Sequence, residues 1–159
     1  MPVFTSVAAA SLLDGLRAAK VLLDRIPTRE IARALGETGA RFLDPTDPIK
    51  LNAESRVALE SGLSPSSARR VVEGMARDWT RDRLAALLRA DFPEPSALDG
   101  FVSTVEGDAV LAVSGDLSFH IGSGNVPGVG TTSIIRSLLV KCPILLKPGR
   151  EDVALPCAF

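Results

Sequence analysis

The sequence predicts an α/β fold: a helical N-terminal region, then a β-hairpin, then a βαβ unit. Three observations carry this. Apolar residues recur at helical spacing through the first two-thirds of the chain. After Pro93-Glu94-Pro95 the pattern changes to short β-type runs around a glycine turn. From Asp116 to Pro148 the chain reads as strand, glycine-rich turn, apolar helix and strand. Pro93-Glu94-Pro95 is therefore read as the internal boundary, with a helical region over residues 1–95 and an α/β portion over 96–159.

The elements follow in order. Leu12, Leu16, Ala19, Leu23 and Ile26 share one face of a helix between Ser11 and Ile26, which Pro27 breaks. Thr28 is placed to cap a second helix carrying Ile31, Leu35 and Phe42, weakened in its middle by Gly36 and Gly39. Asp44-Pro45-Thr46-Asp47-Pro48 is a turn, and a short helix over Ala53–Glu60 ends near Gly62. Ser64-Pro65 starts a helix, with serine at the cap and proline at the first helical position. Val71, Val72, Met75 and Trp79 then share a face, and Trp79 is read as core. Thr80 opens a further helix with Leu84, Leu87 and Leu88 inward. Arg69, Arg70, Arg77, Arg81 and Arg83 read as a solvated face whose ion pairs contribute only ~0.3–0.5 kcal/mol each. Phe101–Val105 and Ala109–Val113 form a hairpin around Glu106-Gly107-Asp108. The helix of the βαβ unit runs from Val129 to Lys141.

Composition narrows the function. A net charge of −1, with both signs interspersed, gives no electrostatic footprint for nucleic acid or an anionic membrane. Aromatics are 4% and tyrosine is absent, which disfavours a base-stacking platform. No apolar run approaches the ~20 residues that span a bilayer. The stretch from Val7 to Leu13 lacks a basic flank and meets Asp14 early, so a signal peptide is not expected and the cytoplasm is the default compartment. Cys142 and Cys157 make neither a disulfide framework nor a metal site, and both read as packing thiols. His120 reads as a core residue on its strand.

The chemistry sits at the two strand ends, where open α/β sheets bind ligands. The turn from Gly122 runs Gly-x-Gly-x-x-x-Gly, which is neither the dinucleotide fingerprint nor a P-loop. Such a turn exposes backbone N–H groups at a helix N-terminus, where anions are stabilised. It is equally a tight connection that needs glycine for its backbone alone. Asn125 could donate to a developing oxyanion, a contact worth ~2.7–4 kcal/mol. It could equally form an Asx-turn. Lys147 is placed to reach a ribose or phosphate, or is a surface lysine past a buried strand.

The stretch Gly122–Glu151 resembles the aldehyde dehydrogenase superfamily, and more closely its long-chain acyl-CoA reductases, the fatty acid reductases of the bacterial luminescence type. The matching residues are Gly124-Asn125-Val126-Pro127, the helix Ser133-Ile134-Ile135-Arg136-Ser137-Leu138-Leu139-Val140-Lys141, and Ile144-Leu145-Leu146-Lys147. The resemblance implies the start of a Rossmann-like, nucleotide-binding α/β domain. It makes Asn125 the oxyanion donor. It places Gly122, Ser123 and Gly124 along the nicotinamide cofactor, and Lys147 on the adenosine ribose. The superfamily's ribose-binding Glu falls at Arg150, with Gly149 at the preceding Ser. A guanidinium there matches a phosphate and favours NADPH. The alternative is that Arg150 points into solvent and Glu151 takes the ribose.

The implied activity is reduction of a fatty acyl-CoA, or an acyl group on a carrier protein, to an aldehyde through an acyl-cysteine, in a homo-oligomer. Neither cysteine stands at the nucleophile's place. The chain also stops after two or three strands of the expected sheet. It therefore reads as the N-terminal part of a longer enzyme, inactive by itself. Aldehyde oxidation on the same scaffold and a non-catalytic module that binds a nucleotide or a partner are the alternatives.

Overall fold

A computed structural model of the protein describes residues 6–159. Five helices come first: α1 (Ser6–Arg25), α2 (Thr28–Arg41), α3 (Pro48–Ser61), α4 (Pro65–Ala76) and α5 (Arg81–Asp91). Short 3-10 turns at Arg77–Trp79 and Pro95–Leu98 flank α5. Strands β1 (Val102–Ser103) and β2 (Ala109–Val110) follow, then β3 (Ser118–Ile121), α6 (Val129–Leu139), β4 (Ile144–Lys147) and a short α7 (Ala154–Ala158). The described chain is thus mixed α/β, mainly helical. The βαβ unit that the sequence pattern predicts is present, with α6 between the parallel strands β3 and β4.

The helices start where the sequence supplies caps, with two revisions. Ser64 Oγ accepts from the Ser67 N–H at 3.2 Å, as its place before Pro65 predicts. α3 is longer than Ala53–Glu60 because Asp47 caps it, accepting from the Ile49 N–H at 2.8 Å ahead of Pro48. Gly62 ends it at φ 67°, a left-handed conformation that glycine adopts without penalty. Thr28 is not the cap of α2. It is the first helical residue, and both its N–H and its hydroxyl donate to Asp99 Oδ1, at 2.8 and 2.7 Å. The orphan N–H is thus satisfied from 71 residues away in sequence.

Gly36 and Gly39 serve packing. A Cβ on Gly36 would lie 2.6 Å from the Arg81 backbone, and one on Gly39 would collide with Trp79. These two glycines let α2 approach the start of α5 closely. Trp79, Phe42 and Phe159 stack and edge against one another with ring centroids 5.6 to 6.0 Å apart. The Trp79 indole N–H donates to Thr132 Oγ1 at 3.2 Å, so its polar edge is satisfied as well. A buried side chain of this size contributes roughly 1.5–3 kcal/mol. The ion pairs of the exposed arginines, such as Arg83–Asp78 at 3.0 Å, contribute far less. Apolar burial therefore holds the helices together. The core cluster is continuous from Ile31 and Trp79 to Ile135, Leu139 and Leu155, on both sides of Pro93-Glu94-Pro95. By contrast, the apolar stripe of α1 is only half covered: Leu12 and Ile26 are exposed.

β1 and β2 pair antiparallel around Gly107, which sits at φ 90°, with only Val102 opposite Val110 and Ser103 opposite Ala109. The hairpin is shorter than the sequence runs that flank it. β3 and β4 are parallel, in the register Ser118–Ile144, Phe119–Leu145, His120–Leu146 and Ile121–Lys147. His120 is half-buried rather than core. α6 stops at Leu139, and Lys141 takes φ 57° with its ammonium 2.7 Å from Asp99. Cys142 is buried as expected of a packing thiol, whereas Cys157 lies exposed on α7. Among the described residues no helix is long and apolar enough to cross a membrane.

Candidate functional site

The parallel pairing sets the geometry of the site. Because β3 and β4 run in register, their carboxyl ends lie side by side, and the Gly122 N–H still donates to the Lys147 carbonyl at 2.8 Å. Two loops leave from this point. One carries Gly122 to Gly128 into α6, and the other carries Pro148 to Val153 into α7.

Glycine lets the two loops touch backbone to backbone. A Cβ on Gly149 would collide with Ser123 and Gly124. One on Gly122 would come within 3.1 Å of the Gly149 nitrogen, and one on Gly124 within 3.1 Å of the Arg150 nitrogen. The predicted residues Gly122, Ser123 and Gly124 are therefore brought against Gly149 and Arg150. Gly128 has its own reason to be glycine. It sits at φ 98° with a Cβ position only 2.8 Å from Met75 Cγ.

Asn125 stands exposed in this turn, and its side chain makes no hydrogen bond among the described residues. The Asx-turn alternative fails for a covalent reason. The residue two positions on is Pro127, which has no N–H to donate. Lys147 and Arg150 are also exposed, and neither forms an ion pair among the described residues. Glu151 is exposed beside them. The structure thus places one free amide and two free cations on adjoining strand-end loops. A cavity of about 460 Å3 between α4, α5 and α6, lined by Met75, Trp79, Leu84, Leu87 and Ile135 among others, does not include any of them.

Two of the N–H groups at the α6 N-terminus, which the sequence leaves open to an outside anion, already have an anion of the chain's own. Asp152, 2% exposed, accepts from the Gly128 N–H at 2.6 Å through Oδ1 and from the Gly130 N–H at 2.7 Å through Oδ2. Burial pushes its carboxyl above the ordinary range. The two N–H donors act the other way, and the nearby Glu60 carboxylate raises it further. Glu60 itself, on α3, accepts from the Val153 and Ala154 N–H groups at 3.2 and 2.8 Å, fixing the start of α7. Sequence reasoning missed Asp152. Its one signal was an acid just ahead of the apolar run Val153-Ala154-Leu155, the usual mark of a local cap. The helix it caps is another one, 22 residues back.

Fold and site together define an α/β protein whose polar residues gather at the ends of two parallel strands. The acyl-CoA reductase (LuxC) family model matches residues 24–159. The chain belongs to that family, as the resemblance at Gly124–Pro127 and Ile144–Lys147 led one to expect. Acyl-CoA reduction is the activity that membership implies. No curated protein and no solved structure shows a significant match to the chain.

Proposed function

We propose that this chain supplies the oxyanion donor and part of the cofactor surface of an NADPH-dependent reductase. The reductase converts a fatty acyl-CoA, or an acyl group on a carrier protein, to an aldehyde through an acyl-cysteine intermediate. The observation that carries the reading is Asn125, an exposed amide without an internal partner, beside a strand end bearing two unpaired cations. When a cysteine thiolate attacks the acyl carbon, negative charge develops on the carbonyl oxygen. The Gly124–Gly149 packing fixes the backbone that carries Asn125, and from there its amide N–H can donate to that charge. The thiolate adds to the carbonyl carbon to give a tetrahedral oxyanion, whose collapse breaks the carbon–sulfur bond to the carrier and releases the carrier's thiolate.

NADPH, when bound, supplies the hydride that releases the aldehyde. The donor set suits it. Lys147 and Arg150 offer two cations for a 2′-phosphate, and neither forms an ion pair among the described residues. The nucleophile is assigned to neither cysteine. Cys142 is buried with its thiol toward the Pro143 carbonyl, and Cys157 lies exposed on α7, away from the place the resemblance gives the nucleophile. The 159-residue chain alone is therefore not expected to turn over.

The test is Asn125→Ala in an active reductase carrying this segment. The expected result is a kcat lower by ~10²–10³, with cofactor affinity little changed, the signature of a lost transition-state donor. An unchanged kcat would reduce Asn125 to a turn residue.

A further inference from the structure

The two strand-end loops have to hold a fixed relation if Asn125 is to meet a substrate oriented by the loop after β4. Glycine contacts bring them together but give them no directional bond. Asp152 gives two. It stands on the second loop, and both oxygens accept from backbone N–H groups of the first loop and of the α6 turn that continues it. Its own backbone is fixed in turn: the next two N–H groups go to Glu60 on α3. A chain of bonds therefore runs from the helical layer through residues 152–154 to Gly128, three residues past Asn125.

We propose that Asp152 is the positioning residue of this site, a resident carboxylate that locks the Asn125 turn to the Lys147–Arg150 loop. Its functional meaning rests on the reading of Asn125 given above. The same bonds close the α6 N-terminus to a ligand phosphate, so the cofactor's phosphates are left to the side chains of the second loop.

The experiment needs no turnover. In the isotopically labelled 159-residue chain, the amide protons of Gly128 and Gly130 should resonate far downfield and exchange slowly, as donors to a carboxylate do. Asp152→Ala should move both signals upfield, speed their exchange roughly ten- to a hundred-fold, and shift the Asn125 amide, with the helical core signals in place. Sodium formate should restore the signals of the Asp152→Ala chain, and sodium chloride at equal ionic strength should not. Asp152→Asn keeps the shape but offers one acceptor oxygen, so it should release one glycine amide and keep the other. It carries the test where the alanine variant fails to fold.

Unmoved Gly128, Gly130 and Asn125 signals in a folded Asp152 variant overturn the proposal. So does rescue by chloride as good as by formate. Asn125→Ala should leave both glycine signals untouched. A failed oxyanion assignment would therefore show only in kcat, and a failed positioning role only here.

Discussion

On the proposed reading, Arg150 is the residue that selects the cofactor. Two cations three positions apart, on a loop just past β4, suit a 2′-phosphate, and the position that would offer a carboxylate to a free 2′-hydroxyl holds a guanidinium instead. A charge-assisted contact of that kind contributes ~1.5–3 kcal/mol, or about ten- to a hundred-fold in affinity. An active reductase carrying this segment should therefore bind NADPH more tightly than NADH, and Arg150→Glu should narrow or invert the ratio. Titrating both cofactors against both proteins checks it; equal affinities in the unmodified enzyme would shift the ribose contact to Glu151. At this scale the positions were legible and the roles were not: Lys147 closes β4 and Asn125 lies in the turn four residues past β3, but each pattern also suits a purely structural residue. Asp152 was not legible even as a position, because a cap is read from local spacing, and its partners lie across the sheet end, on another helix.

Among the elements, the parallel pair and its two loops depend on the absence of side chains. Gly149 has the tightest approach, against Ser123 and Gly124. Gly149→Ala should force the loops apart and cost ~1–3 kcal/mol, the range for overpacking a close contact. Chemical denaturation measures it, and an unchanged midpoint would mean the loops yield freely. Periodicity found α2, α4 and α5, because each has a buried face of ordinary spacing. It misjudged Gly36 and Gly39 as weaknesses. Helix propensity sees the lost methyl group but not the neighbouring backbone that fills its place. It also gave Thr28 the wrong role, since Asp99 reaches the α2 start from 71 residues away. The hairpin came out short because its apolar residues, Val105 and Val113 among them, are exposed and no third strand pairs with it among the described residues.

For the molecule as a whole, two carboxylates pull stability in opposite directions with pH. Burial raises Asp99, but bonds from Lys141 and from the Thr28 hydroxyl and N–H outweigh it, leaving the group below its ordinary value. Its contribution is present above the unfolded value of about 3.9 and is lost as pH falls through the lower folded one. Asp152 is raised, so its contribution is fully present below the unfolded value and is lost as pH rises through the folded one. Thermal melts from neutral to acid pH should show Asp99→Asn flattening the acid loss of stability, with Asp152→Asn making it steeper. Parallel curves for all three proteins would remove both groups from the acid response. Such a global balance is invisible in the sequence, which shows 19 acids but not which of them are buried or paired.

The aromatic junction of Trp79, Phe42 and Phe159 has an optical consequence. Trp79 is the chain's single tryptophan and there is no tyrosine, so its ultraviolet emission comes almost wholly from one indole, at the meeting point of α2, α6 and α7. That emission watches the core and, through Thr132, whose hydroxyl donates to the Gly128 carbonyl at 3.1 Å, the loop end that Asp152 holds. A red shift in a loop variant would report that water has reached the indole at the centre of the fold.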